Sequence, residues 1–161
     1  MENSRTFQVT ERSEVPWLSV VLGYGPMLPF AGGALASWVL GGALRAALVM
    51  LTIVWAASIL AFLAGVRRGL SFRTEGGPRT AQIVTMFCFY VLAFSALVAS
   101  SYGAMSVAVA LVLVGFVAML VLDPIAARAG EAPLFFARLR PPQLTIAVVS
   151  LIALLIKLSL R

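Results

Sequence analysis

The chain has 161 residues, of which 61% are hydrophobic and only 11% are charged, and its mean hydropathy is +1.03. About a quarter of the residues of a soluble domain are charged, so these side chains cannot cover a folded domain that faces water. The net charge of +6 does not indicate nucleic acid, because the basic residues flank apolar runs and form no basic face. The composition therefore predicts an integral membrane protein.

Two further features limit the chemistry that the chain can carry. It has no histidine, which removes the commonest general base, and its one cysteine, Cys88, cannot form an intrachain disulfide. We interpret Cys88 as an inert packing residue. The sequence contains no recognisable nucleophile and base, carboxylate pair or metal-ligand set. We therefore expect no enzyme activity, no cofactor and no metal site.

The N-terminal part combines a polar head with a kinked first span. Residues 1–15 form the head, and the apolar run at about 17–40 can cross a hydrocarbon core of about 30 Å. A cleavable signal peptide is the alternative, because 34–36 resembles a cleavage site, but the acidic head and the long run do not favour it. Pro26 and Pro29 lack amide donors, so a kink is expected, with neighbouring helices or water as partners for the freed carbonyls.

The second span, at about 43–65, carries a stripe of small residues. Ala57, Ala61 and Gly65 recur every four positions and so share one helix face. Such a face lets two helix backbones approach closely. It predicts either packing within the bundle or a contact between two copies.

Three more spans complete the predicted fold, at about 80–100, 103–122 and 143–160, with a polar loop at 66–80 before them. Tyr90, at the centre of the third span, is interpreted as packed or interfacial. With these bounds the spans contain no embedded charge of the kind expected in a pump or an ion pathway. Residues 16–161 are thus predicted to form one all-α membrane domain, a bundle of five transmembrane helices.

A short interfacial segment is predicted before the last span. Aromatic and basic side chains mix at 134–140, a combination suited to the headgroup layer, and Pro141-Pro142 ends the segment. An arginine pair directly follows the second span and matches phosphate or carboxylate groups in geometry. Together they are interpreted as topology anchors or as a contact for lipid or a partner. The residues of this predicted contact are Arg67, Arg68, Phe135, Phe136, Arg138 and Arg140.

Asp123 is the acidic residue at a span boundary, directly before Pro124. We interpret it as the partner of a structural salt bridge with Arg128, Arg138 or Arg140. A proton or ion role is the alternative.

The basic residues also predict an orientation. Nine arginines lie in the head, the 66–80 connection and the 123–142 connection, whereas three basic residues lie on the other side. Because basic residues stay in the cytoplasm during insertion, we expect the N-terminus inside and the C-terminus in the periplasm of a bacterial inner membrane. In a mitochondrion, the corresponding inner side is the matrix. Anionic headgroups on that side are expected lipid partners.

Three stretches together resemble the small membrane family of unknown function typified by transmembrane protein sixty-nine. They are Leu22–Phe30, with its glycines and prolines, Ile59–Leu70, and the stretch from Asp123 through Pro133–Arg140 to Thr145. The resemblance covers most of residues 17–160. It implies a five-span protein of bacterial or mitochondrial inner membranes, with no established activity, substrate or cofactor.

The chain departs from the pattern of that family at three positions in the second stretch. Arg67 and Arg68 stand where histidine and tryptophan are common, and Ala64 replaces a glycine. A family role that uses an imidazole or an indole there does not carry over to this chain.

Three functions are compatible with the sequence. The first is a non-catalytic accessory, scaffold or assembly subunit of a larger and possibly energy-transducing inner-membrane complex, in contact with other membrane subunits. The second is a small transporter or channel, in which Pro26 and Pro29 break a helix that lines a cavity. The third, a lipid-acting enzyme, needs a cleft that joins Asp123 to another polar group.

Overall fold

A computed structural model describes residues 15–72, 74 and 77–160 of the chain. Apart from Val15, the predicted polar head lies outside the described residues. These residues form six α-helices and one 3-10 turn. The helices are α1 (Trp17–Tyr24), α2 (Leu28–Val39), α3 (Gly42–Ser71), α4 (Thr80–Ser101), α5 (Met105–Arg128) and α6 (Phe136–Ser159), and the 3-10 turn (Gly25–Met27) separates α1 from α2.

Five helical segments are long and apolar enough to cross a membrane, namely α1 with α2, and each of α3 to α6. The predicted all-α fold with five spans is therefore confirmed. Helices α2 to α6 form a closed ring, because each packs on the next in chain order and α6 packs on α2, and α3 also contacts α5 across the ring. Apolar side chains fill the centre, where the Phe30 and Phe116 rings meet edge to face at 5.2 Å.

The first span is interrupted where the sequence predicts a kink. Pro26 and Pro29 stand at the starts of the 3-10 turn and of α2, positions at which a missing amide donor is tolerated. The indole N–H of Trp55 on α3 donates to the Pro26 carbonyl at 2.9 Å. Met27, in the 3-10 turn, and Phe30, in the first turn of α2, are fully buried. A neighbouring helix thus supplies the hydrogen-bond partner that the interrupted backbone needs.

The small-residue stripe of α3 is only partly used for packing. Ala57 is buried and Ala61 is half-buried, whereas Gly65 is exposed and has open space around it. A close helix approach lies instead at Gly33 of α2, where an added Cβ would overlap the Thr52 side chain of α3.

Three helices are longer than the sequence predicts. The second span continues to Ser71, the fourth continues through Asp123-Pro124 to Arg128, and α6 begins at Phe136 and contains Pro141-Pro142. The predicted interfacial segment is therefore wrong as a separate element, because most of it forms the first turns of α6. Proline removes amide donors only locally, and these prolines lie near helix ends.

Candidate functional site

The longer helices bring three charged side chains together. Arg67 Nε on α3 lies 3.2 Å from Asp123 Oδ1 on α5, and Arg140 Nε on α6 lies 3.6 Å from Asp123 Oδ2. Their side chains are only 15%, 8% and 9% exposed for Arg67, Asp123 and Arg140. We call these three residues the charge cluster. The prediction that the spans contain no embedded charge is therefore wrong for the helices as observed.

The charge cluster lies near one end of the bundle. Arg67 is four residues before the end of α3, Asp123 is five before the end of α5, and Arg140 is four after the start of α6. At about 1.5 Å per residue these offsets are roughly 6–8 Å. This is the end that the basic residues predict to be cytoplasmic, so the cluster lies close to the expected headgroup level.

Neighbouring side chains hold the two arginines in place. Arg67 Nη1 donates to Thr85 Oγ1 at 3.2 Å, and its guanidinium lies 5.4 Å from the centre of the Phe89 ring. The Arg140 guanidinium lies 4.5 Å from the centre of the Phe136 ring. Aromatic faces stabilise such cations. The cluster thus ties α3, α4, α5 and α6 together at one end.

A second ion pair lies further out. Arg79 Nη1 is 2.8 Å from Glu131 Oε1, and the Arg79 side chain is 63% exposed. This pair joins the start of α4 to the segment before α6. It is more exposed to solvent than the charge cluster, and exposed pairs contribute little stability.

The residues of the predicted contact divide into two groups. Arg67 and Arg140 are buried or nearly so in the charge cluster, whereas Arg138 is exposed. Arg68 is half-buried, donates to Ser71 Oγ at 3.2 Å and lies 4.1 Å from the centre of the Phe72 ring. Arg67 and Arg140 therefore form ion pairs within the bundle, and the contact of these residues with lipid or a partner stays a prediction.

Phe135 and Phe136 contact each other edge to face at 5.1 Å, where the segment before α6 meets the helix. Both are half-buried, and both line a groove beside α6. Their rings therefore cover the bundle end next to Arg140, where the sequence places an aromatic anchor.

A groove of about 260 Å³ runs between α1, α3 and the start of α6. Arg140 and Gln143 are the strongly polar residues of its otherwise mostly apolar lining. The Gln143 side chain is buried, and its Oε1 has no hydrogen-bond partner among the described residues. A Cβ on Gly23 would lie 3.1 Å from this atom. Sequence reasoning misses Gln143, since a single glutamine in a span has no spacing signal.

The outer face of α4 differs from the sequence-based interpretation. Tyr90 stands near the middle of the helix and its side chain is exposed, so it is neither packed nor interfacial. Cys88 is exposed as well, and its interpretation as a packing residue is wrong. α4 is the span with the smallest buried share, and it packs on α3 and α5.

The far end of the bundle carries the basic residues of the other predicted side. Lys157 Nζ lies 4.9 Å from the centre of the Trp38 ring, and the Trp38 indole donates to the Ala153 carbonyl at 3.2 Å. Arg45 and Lys157 line a cavity of about 350 Å³ there. Within the described part of the chain, no group of three His, Cys, Asp or Glu side chains could hold a metal ion.

The fold and the five apolar spans define this molecule as a multi-pass helical membrane protein. The chain belongs to the family described as "Protein of unknown function (DUF3429)", whose model matches residues 15–156. Comparisons with curated proteins and with solved structures found no match.

Proposed function

We propose that this protein is a non-catalytic accessory, scaffold or assembly subunit that binds another membrane protein through the outer face of α4. The exposure of Tyr90 gives this proposal its strongest support. Its side chain is 51% exposed near the middle of a span of 22 residues, and its hydroxyl makes no hydrogen bond to a described residue. In hydrocarbon an unpartnered hydroxyl costs free energy, because no water replaces the missing partner.

The residues around Tyr90 form a regular seam. Spacings of four and three residues alternate along the exposed face, and their mean of 3.5 is the repeat of helices that pack side by side. The members of the seam are Ile83, Phe87, Tyr90, Phe94 and Leu97, and all five are exposed. A partner helix that lies along this seam can cover its rings and accept or donate a hydrogen bond at Tyr90.

The choice of membrane and host rests on the sequence. The resemblance to the family typified by transmembrane protein sixty-nine supports a bacterial or mitochondrial inner membrane, and an energy-transducing complex is the host we favour. The distribution of arginines supports a cytoplasmic or matrix location for the charge cluster.

A photo-cross-linking residue placed at Phe94 tests the seam directly. We expect cross-links from Phe94 to a second, different membrane protein in native membranes. The matched control is Val149 of α6, which is similarly exposed but lies outside the seam. Equal cross-linking at both positions, or cross-links only to a second copy of this chain, contradicts a role as a subunit bound through α4.

Tyr90→Phe gives a second measure of the same contact. The substitution keeps the ring and removes only the hydroxyl, so the fold of the isolated chain should not change. A hydrogen bond between membrane helices contributes about 0.6 kcal/mol on average, which is roughly a threefold change in affinity. We expect co-purification of the partner to fall by about that factor, and an unchanged yield contradicts the role given to Tyr90.

A transporter remains the second candidate because the first helix is broken at Gly25–Met27. The packing at the break favours a structural role instead. Met27 and Phe30 are fully buried there, and Trp55 donates to the Pro26 carbonyl. The adjoining groove is mostly apolar, unlike the polar cavity that a broken helix lines in a transporter.

A lipid-acting enzyme needs a cleft at Asp123, and a small one is present. It joins Asp123 to Gln82 and Glu131, and its volume is about 30 Å³. This is room for one or two water molecules, which is too small for a scissile group together with its surroundings. Two arginines also hold the Asp123 carboxylate, so the arrangement favours structure over catalysis.

A further inference from the structure

We propose that the groove beside α6 binds one anionic glycerophospholipid. In this site the phosphate contacts Arg140, an ester carbonyl contacts the Gln143 amide, and part of one acyl chain lies along the apolar lining. The site is separate from the α4 seam and does not depend on the function proposed for it.

The shape of the groove suits a segment of an acyl chain. Its volume of about 260 Å³ is slightly below the range of about 300–1,000 Å³ for small-molecule sites, so a whole two-chain lipid does not fit inside. Leu22, Pro26, Ile59 and Leu139 supply apolar lining, and Phe62 at its edge is exposed. The groove is therefore open on the lipid side, where the rest of the molecule can remain in the bilayer.

The charge at one end of the groove matches a phosphodiester. The two ion-paired groups contain three arginines, Arg67, Arg79 and Arg140, and two carboxylates, Asp123 and Glu131, so these groups together carry one positive charge in excess. A phosphodiester carries a single negative charge. Buried charge without a counter-charge is costly, so an anion at this position stabilises the site.

Arg140 has the donors to bind this anion. It lines the groove and contacts the charge cluster as well. Its Nε lies 3.6 Å from Asp123 Oδ2, which is beyond hydrogen-bond distance, and the Arg140 side chain makes no hydrogen bond to a described residue. A guanidinium with donors to spare suits the paired oxygens of a phosphate.

Gln143 is a second polar residue of the groove, and its side-chain oxygen lacks a hydrogen-bond partner within the described part of the chain. Its side chain is 4% exposed, it lines the groove, and its Oε1 is buried without a partner among the described residues. An amide oxygen only accepts, so the Nε2 end of the Gln143 side chain is the donor to the ester carbonyl in this site. Gln143 lies three residues, or about 4.5 Å, further along α6 than Arg140. Ester carbonyls likewise lie deeper in a bilayer than phosphates.

Native mass spectrometry of the full chain in detergent tests the site. Phosphatidylglycerol is titrated against phosphatidylcholine with the same acyl chains, and we expect one equivalent of phosphatidylglycerol to be retained preferentially. Ser19→Phe fills the groove from α1 at a half-buried position, and Ser58→Phe is the matched control on the exposed face of α3. Ser19→Phe should weaken retention about tenfold, the effect of roughly two methylenes that are no longer buried, and Ser58→Phe should not.

Gln143→Leu separates binding from folding. It removes an amide whose oxygen has no hydrogen-bond partner among the described residues, so the stability of the lipid-free chain should be kept or increased, while phosphatidylglycerol retention falls about tenfold. Equal retention of the two lipids, or retention that neither Ser19→Phe nor Gln143→Leu changes, overturns the proposal in favour of general annular lipid. Competition by inorganic phosphate, or a quinone in the groove in place of the phospholipid, overturns it as well.

Discussion

At the residue scale, Asp123 determines whether the charge cluster stabilises the bundle. It is the acidic partner of both Arg67 and Arg140, and all three side chains are largely out of solvent. Removing one member of a buried ion pair leaves the other charge uncompensated, which typically costs about 3–5 kcal/mol. Here one substitution leaves two arginines unpaired and close to each other.

We therefore expect Asp123→Asn to lower the free energy of unfolding by about 3–5 kcal/mol, measured by thermal or denaturant unfolding in detergent. Glu131→Gln is the matched control, since it removes the same charge from the more exposed pair with Arg79. It should cost less than about 1 kcal/mol. Similar losses for the two variants would show that the charge cluster is not the stabilising element described here.

The same residues show where sequence reasoning is limited. Arg140 is among the predicted partners of Asp123, because it lies close in sequence. Arg67 lies 56 residues before Asp123, and nothing in helical periodicity identifies which faces of α3 and α5 will meet. The sequence predicts Cys88 as a packing residue and Tyr90 as packed or interfacial, and both are exposed, because an apolar span does not indicate which of its sides faces the bundle.

At the element scale, the number and type of helices follow from the sequence, whereas the helix ends do not. Runs of apolar residues predict five spans, and the third agrees closely, at 80–100 against Thr80–Ser101. The sequence predicts that these spans stop short of the arginine pair after residue 65, of Asp123-Pro124 and of Pro141-Pro142, whereas α3, α5 and α6 include these residues. These helices continue because Asp123 is an ion-pair partner of both Arg67 and Arg140, which lets these charged positions lie inside packed helices.

The approach of α2 to α3 gives a test at this scale. A Cβ on Gly33 would lie 2.9 Å from the Thr52 Cβ, and Thr52 is held by a hydrogen bond of 2.7 Å to the Leu48 carbonyl. Gly33→Ala should therefore destabilise the fold by about 1–3 kcal/mol through overpacking.

Gly32→Ala is the control for this substitution, in the adjacent residue of the same helix. Nothing lies within 4 Å of a Cβ at Gly32, so this variant should be neutral or slightly stabilising, because alanine favours helix over glycine. If both variants unfold at the same temperature, α2 and α3 do not approach as closely as described.

At the scale of the whole molecule, the bundle has an apolar outer surface and a packed apolar centre. The ion pairs of the charge cluster join α3, α5 and α6 at one end. α3 has 30 residues and is about 45 Å long, which exceeds a hydrocarbon core of about 30 Å. Its end, which carries Arg67 and Arg68, can therefore reach the headgroup layer. The charge cluster and the groove lie at this end, together with most of the arginines. The orientation of the chain in the membrane therefore determines on which side of the membrane these features lie.

The central claim, a five-span bundle with its charge cluster on the cytoplasmic side, can be tested with two single thiols in a Cys88→Ser background. Thr74→Cys lies between α3 and α4, and Tyr102→Cys lies between α4 and α5 at a strongly exposed position. With a membrane-impermeant thiol reagent added to intact cells, we predict labelling of Tyr102→Cys only, and labelling of Thr74→Cys once the membrane is permeabilised. Labelling of Thr74→Cys from outside, or of both thiols from the same side, would contradict the account.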